Sequence, residues 1–124
     1  MSVERRYSRK REAIREELMR SKDHPSAEML FSRLRPLYPD LSLGTVYRNL
    51  TSFREAGDIF CAATVDGTER FDADLRPHAH FVCEQCGCVL DVEEPLPPQY
   101  VHRSLPGTVK SYSLTYYGIC DRCL

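Results

Sequence analysis

The sequence predicts an α+β protein of two small domains, and three observations carry that prediction. Helical periodicity, with no competing strand pattern, runs through the chain as far as Gly57. An Asp66-Gly67 pair then marks a two-residue β-hairpin turn. Beyond a turn-rich link from Asp72 to Pro77, short β-type runs flank two Cys-x-x-Cys pairs, Cys83/Cys86 and Cys120/Cys123. The boundary is placed so that residues 1–73 form the first domain and 74–124 the second.

The first helix is predicted over 7–21, where Gly and Pro are absent and Ile14 and Leu18 stand one turn apart. Its early turns carry Arg5, Arg6, Arg9, Lys10 and Arg11, suited either to a solvated helix end or to phosphate contact. A loop at Asp23 to Pro25 follows, and His24 within it reads as an ordinary exposed side chain. Ser26 can cap a second, short helix whose stripe is Leu30, Leu34 and Leu37, ended by Pro36 and Pro39.

The strongest helix starts at Ser42 as N-cap and stops at Gly57, with Leu43, Val46, Leu50 and Phe53 facing a core. Its other face presents Thr45, Arg48, Asn49 and Ser52, with Tyr47 beside them. These side chains bond base edges and phosphates, and no acid interrupts them before Glu55. Three helices with such a third member fit a helix-turn-helix, and the hairpin over 59–71 makes it a winged one, with Thr68, Glu69 and Arg70 near the nucleic-acid backbone. The candidate DNA contacts are Tyr47 and Arg48, flanked by Ser42, Thr45 and Asn49, with Arg9, Lys10 and Arg11 on phosphates. A plain three-helix bundle has the same periodicity.

Strands are predicted around 78–84 and 88–93 and from Thr108 into the last Cys pair, with a short helix from about Pro98 to Leu105. Fewer than 55 residues bury too little surface for an independent core. This piece therefore needs a metal and a second copy of itself.

Composition is that of an ordinary soluble chain, 42% hydrophobic and 28% charged. No apolar run reaches membrane-span length and no signal-type segment opens the chain, which places it in the cytoplasm with its six Cys reduced. The net charge of −1 conceals an asymmetry. Residues 1–60 hold 12 Lys and Arg against 9 Asp and Glu, whereas the remainder holds 5 against 9, so the basic half suits a polyanion.

Two constellations carry chemistry. Cys83, Cys86, Cys120 and Cys123 can surround one structural Zn²⁺ tetrahedrally, although 33 residues separate the pairs. Two disulfides or four buried thiols are the competing readings. His78 and His80 share a strand face, and Asp72 and Asp91 can supply carboxylates, a donor set for Fe²⁺, Mn²⁺ or Zn²⁺. Two satisfied structural histidines would give the same pattern. Cys61 and Cys88 read as small buried apolar residues, though Cys88 can compete for zinc, and His102 as surface.

The runs HPSAEMLFSRL, LSLGTVYRNLTSFREAG, RFD, HAHFVCEQCG, VLD and YYGICDRC together resemble the ferric uptake regulator family over nearly the whole chain. TVYRNL with H-x-H-x-x-C-x-x-C is specific to it. The resemblance implies a winged-helix DNA-binding domain, a small dimerisation domain, a structural zinc, and a regulatory Fe²⁺ or Mn²⁺ held between the domains. By position it assigns the regulatory ligands to His24, Asp72, His78, His80 and Asp91, which brings His24 into the site. Aspartate at both carboxylate positions looks like the peroxide-responsive branch, in which iron-catalysed oxidation of His24 or His78 removes a ligand and ends repression. An iron- or manganese-responsive repressor indifferent to peroxide is the alternative. PLPP after Asp91 departs from the family, where a longer helix is usual, and puts the extent of the dimer interface in question.

Other classes explain less. A metal hydrolase would need a general base beyond the ligands, and none is evident, so no catalytic residue is assigned and the chain is not read as an enzyme. A zinc-ribbon adaptor leaves the N-terminal half without a role. The implied partners are a double-stranded DNA operator and a second copy of the chain, with no membrane.

Overall fold

The structure, a computed structural model, describes residues 2–76, 78–93, 104–108 and 112–124, with side chains from residue 9 onward in the first helix. Among the described residues, three helices and five strands divide into two compact units, Met1–Leu75 and Arg76–Leu124.

The first unit contains α1 (Ser2–Arg20), α2 (Ala27–Leu34), α3 (Leu43–Glu55), β1 (Phe60–Val65) and β2 (Thr68–Asp72). Helix α1 starts five residues before the expected position, because nothing in Ser2 to Arg6 breaks a helix. Ser26 caps α2, its Oγ accepting the Met29 N–H at 3.2 Å, and Ser42 caps α3 by accepting from Thr45 at 3.1 Å. Gly57 has φ +80°, the left-handed conformation that ends a helix without Cβ strain. One core joins these helices: Ile14 and Leu18 from α1, Leu30 and Leu34 from α2, Val46, Leu50 and Phe53 from α3, closed by Ile59 and Phe71. Leu37 was expected in that stripe but is 72% exposed, since α2 ends at Leu34 and Leu37 lies in the turn that follows.

The hairpin turn has positive φ at Asp66 and Gly67, +50° and +76°, as a tight two-residue connection requires. Strands β1 and β2 pair antiparallel, with the register shifting between Cys61 and Ala63.

The second unit is a three-stranded sheet in the order β4 (Val89–Val92), β3 (Ala79–Cys83), β5 (Thr115–Gly118). Central β3 runs antiparallel to β4 and parallel to β5. The long terminal strand expected from Thr108 is confined to Thr115–Gly118; Tyr112 to Leu114 are irregular, and 109–111 lie outside the described residues. Most of the helix expected from Pro98, and His102, also lie outside them, while Ser104 and Leu105 are not helical.

Candidate metal centres and nucleic-acid face

The thiol cluster is built by β3, the turn after it and the end of the chain. Cys83 closes β3, Gly87 allows the tight return with φ +74°, and its N–H donates to the Cys83 carbonyl at 2.9 Å. Chain-terminal residues are drawn in by the Glu84 N–H, which donates to the Gly118 carbonyl at 2.7 Å. Sγ of Cys83 then accepts two backbone N–H groups, from Cys86 and from Cys120, both at 3.4 Å. Those donors, Cys86 first, bring its thiol down to about 6.

All six cysteines are free thiols, so the disulfide reading is not realised. The sulfurs of Cys83, Cys86, Cys120 and Cys123 lie within 4.8 Å of one another, and Cys86 and Cys120 are 3.8 Å apart. Tetrahedral zinc with Zn–S of about 2.3 Å needs sulfurs roughly 3.8 Å apart, so the residues present fit the ion. Cys88 belongs to the same neighbourhood: burial first, then the Cys86 and Cys120 side chains, push its thiol up to about 12.

The histidine and carboxylate donors are placed by register. His80 pairs directly with Asp91 across β3 and β4, and His78 precedes it by two residues on the same side. Oδ1 of Asp91 lies 3.0 Å from His78 Nε2 and 3.5 Å from His80 Nε2, and the two rings are 4.4 Å apart. Nδ1 of His78 is 2.6 Å from the Arg76 carbonyl. A carbonyl can only accept, so Nδ1 carries the proton and Nε2 is the nitrogen turned toward Asp91. Two imidazoles and a shared carboxylate oxygen fit a divalent transition metal.

In the first unit His24 and Asp72 form a second imidazole and carboxylate pair, Nδ1 to Oδ2 3.4 Å. His24 is not the exposed loop residue expected: it is 2% accessible, with φ +52°. Asp72 ends β2, and its other oxygen accepts the Asp74 N–H at 2.8 Å, which fixes the carboxylate.

Helix α3 corrects the expected DNA face. Thr45 and Asn49, read as outward, are buried, Asn49 completely. The Asn49 amide donates to the Thr45 carbonyl at 2.9 Å, and Thr45 Oγ1 sits 2.8 Å from Ser42 Oγ and accepts from Arg48 at 3.0 Å. The exposed stripe is instead Gly44, Tyr47, Arg48 and Thr51, with Ser42 at the cap and Arg54 below. Counting three and four residues from Tyr47 finds Gly44 and Thr51 in the sequence.

Of Arg9, Lys10 and Arg11, the α1 residues expected on phosphates, Arg9 alone is exposed. Lys10 pairs with Asp40 at 3.1 Å. Arg11 reaches Ser52 Oγ at 3.0 Å and lies over the Phe53 ring at 4.2 Å, so both are turned to internal contacts. Arg70, expected near phosphates, bonds the carbonyls of Asp23 and His24 instead.

Helices carrying an exposed polar and basic face, with thiol and imidazole clusters on a small sheet, define a metal-binding regulator of transcription. The chain belongs to the ferric uptake regulator family, whose sequence pattern it matches over residues 2–113. That family consists of transcriptional regulators and not enzymes. The peroxide-responsive repressor PerR of Staphylococcus aureus is 31% identical over 121 residues, 95% of this chain and 82% of the relative. An iron-containing ferric uptake regulator from Francisella tularensis superposes with TM-score 0.73 at 28% identity, covering 91% of this chain and 89% of that one. The Campylobacter jejuni peroxide stress regulator shares the fold with TM-score 0.79 at 23% identity, covering 98% and 94%.

Proposed function

We propose that the protein is a homodimeric, metal-dependent repressor that works in the cytoplasm and senses peroxide through histidine oxidation. Residues 1–73 act as a winged-helix DNA-binding domain and 74–124 as the dimerisation and sensing domain. Zinc at Cys83, Cys86, Cys120 and Cys123 holds the latter together. His24, Asp72, His78, His80 and Asp91 are the ligands of a regulatory Fe²⁺ or Mn²⁺. Among the described residues no helix is long and apolar enough to cross a membrane.

The observation that carries the peroxide reading is that both carboxylates beside the imidazoles, Asp72 with His24 and Asp91 with His78 and His80, are aspartates. The similarity to peroxide-responsive repressors supports it. When bound, ferrous iron supplies the one-electron reduction that splits peroxide. His24 and His78 each present an imidazole held by an aspartate, the positions at which one oxygen atom would be gained as 2-oxo-histidine. An oxidised ring is a poorer donor. Loss of one ligand weakens the metal-bound state, and with it the arrangement of the two recognition helices across operator half-sites.

The test is to load the protein with Fe²⁺ or Mn²⁺, add peroxide, and read peptides by mass spectrometry. One added oxygen on His24 or His78 in the iron form alone supports the reading. Unmodified histidines in both forms, with DNA binding retained, would leave an iron- or manganese-responsive repressor.

A further inference from the structure

His24 holds a conformation that its own sequence disfavours. It is a non-glycine residue with φ +52°, and it precedes a proline, which restricts its backbone further. A backbone of this kind persists only where its surroundings determine it. Those surroundings are two arginines and one strand.

Arg70 on β2 donates from Nε to the His24 carbonyl at 2.5 Å and from Nη2 to the Asp23 carbonyl at 2.7 Å. The Phe71 N–H donates to the Pro25 carbonyl at 3.1 Å. Three consecutive carbonyls of the loop are thus held by two consecutive residues of β2. On the loop's other side, Arg33 pairs with the Asp23 carboxylate and adds a bond to Ser21 Oγ. Only a planar guanidinium offers two N–H groups in a fixed fork to two neighbouring carbonyls. The next residue but one on that strand is Asp72, whose carboxylate faces the His24 ring.

We infer that Arg70 is a positioning residue for the regulatory metal: it fixes the His24 backbone so that the imidazole is presented beside Asp72 before any ion arrives. The hairpin strand therefore carries one ligand, Asp72, and sets the other, His24. This rests on the proposal above that His24 is a ligand. Groups that orient metal ligands typically contribute ten- to a hundred-fold in metal affinity.

The test measures Mn²⁺ affinity of the full-length zinc-loaded protein, with zinc content and the melting curve of the Mn-free form followed in parallel. Arg70→Gln is expected to weaken Mn²⁺ binding by about ten-fold or more while zinc content stays unchanged. In a His24→Ala background the same substitution is expected to change affinity by less than about two-fold, because no ligand remains to be positioned. Arg70→Lys, which keeps the charge but not the fork, carries the same comparison if the glutamine variant melts. Equal weakening in both backgrounds, or wild-type affinity in Arg70→Gln, would overturn the inference. Wild-type affinity in His24→Ala alone would overturn the ligand assignment beneath it.

Discussion

The side-chain amide of Asn49 donates to the carbonyl of Thr45 one turn earlier, at 2.9 Å, inside the first unit. This bond separates the residues of α3 that stabilise from those that can read DNA. Asn49 also lies 3.4 Å from the Arg11 guanidinium, so truncating it leaves buried donors and acceptors unmatched. Asn49→Ala is expected to cost about 1–3 kcal/mol in urea unfolding. Arg48→Ala, on the exposed side, should leave unfolding nearly unchanged and cost about 1–3 kcal/mol of discrimination between a selected operator and its variants. Fluorescence anisotropy on duplexes selected from a random pool measures the second quantity. Loss of discrimination in Asn49→Ala without loss of stability would return that residue to the DNA face.

Tyr47 is exposed on the same stripe, and its hydroxyl donates to Glu28 of α2 at 2.5 Å. That bond, reinforced by desolvation and the nearby carboxylate charge, raises the phenol above its usual value of 10.0. A raised value favours the neutral phenol in the folded state, so the contribution is present below 10.0 and is lost as pH rises through the folded value. Glu28→Gln should shift the phenolate absorbance of one tyrosine to lower pH. Removing an acid from beside the proposed DNA face should also tighten DNA binding at low salt. An unchanged titration would mean the contact is not kept in solution.

Much of this arrangement is legible in the sequence because it is local. Ser26 and Ser42 announce their helices, Asp66-Gly67 its turn, and each Cys-x-x-Cys pair its own knuckle, all within a few residues. The alternation of His78 and His80 gives their shared side at once. What was misread depends on packing between distant segments. Arg11 is 41 residues from Ser52, and Arg70 is 46 from His24, and nothing near either one marks it as internal. Thr45 and Asn49 look outward on residue type alone, but they sit beside the core stripe of Val46, Leu50 and Phe53, and Asn49 meets Arg11 of α1. The burial of His24 likewise follows from Arg70 and Phe71 pulling its loop onto β2.

Cys83 and Cys120 give a prediction for zinc. Replacing either with Ser should yield a chain with about one zinc fewer by elemental analysis, because three ligands do not close the site. The second unit should then lose its near-ultraviolet signal. The helices, all in the first unit among the described residues, should keep most of the far-ultraviolet signal. The pH dependence follows from Cys83, lowered to about 6 from 9.0. A lowered value makes the thiolate's contribution complete above 9.0 and removes it as pH falls through about 6. Cys123, pushed up to about 12, changes only as pH rises far above neutrality. In the metal-free protein, alkylation of Cys83 should therefore stay fast at neutral pH and slow as pH falls below about 6. Alkylation that already slows well above 7 would contradict the N–H donors' effect on Cys83.

Asp91 faces both histidines of the sheet with one oxygen, so it should matter more to the second metal than either histidine alone. Asp91→Asn keeps the shape and removes the charge. Mn²⁺ affinity is expected to fall by ten-fold or more, while zinc content is unchanged. Competition with a fluorescent metal indicator gives the affinity, and elemental analysis the zinc. Equal loss of both metals would mean that Asp91 supports the sheet rather than an ion.

The basic turns of α1 divide the same way as α3. Arg9 is exposed, whereas Arg11 spans Asn49, Ser52 and the Phe53 ring. A phosphate contact releases counterions, so Arg9→Ala should weaken DNA binding across all sequences and reduce the salt slope by about 1. Arg11→Ala should instead cost about 1–2 kcal/mol of stability, since it removes a hydrogen bond from a charged donor and a cation–π contact. Its salt slope should match that of the parent protein. A reduced slope in Arg11→Ala with unaltered unfolding would show that the guanidinium leaves α3 for the duplex when DNA binds.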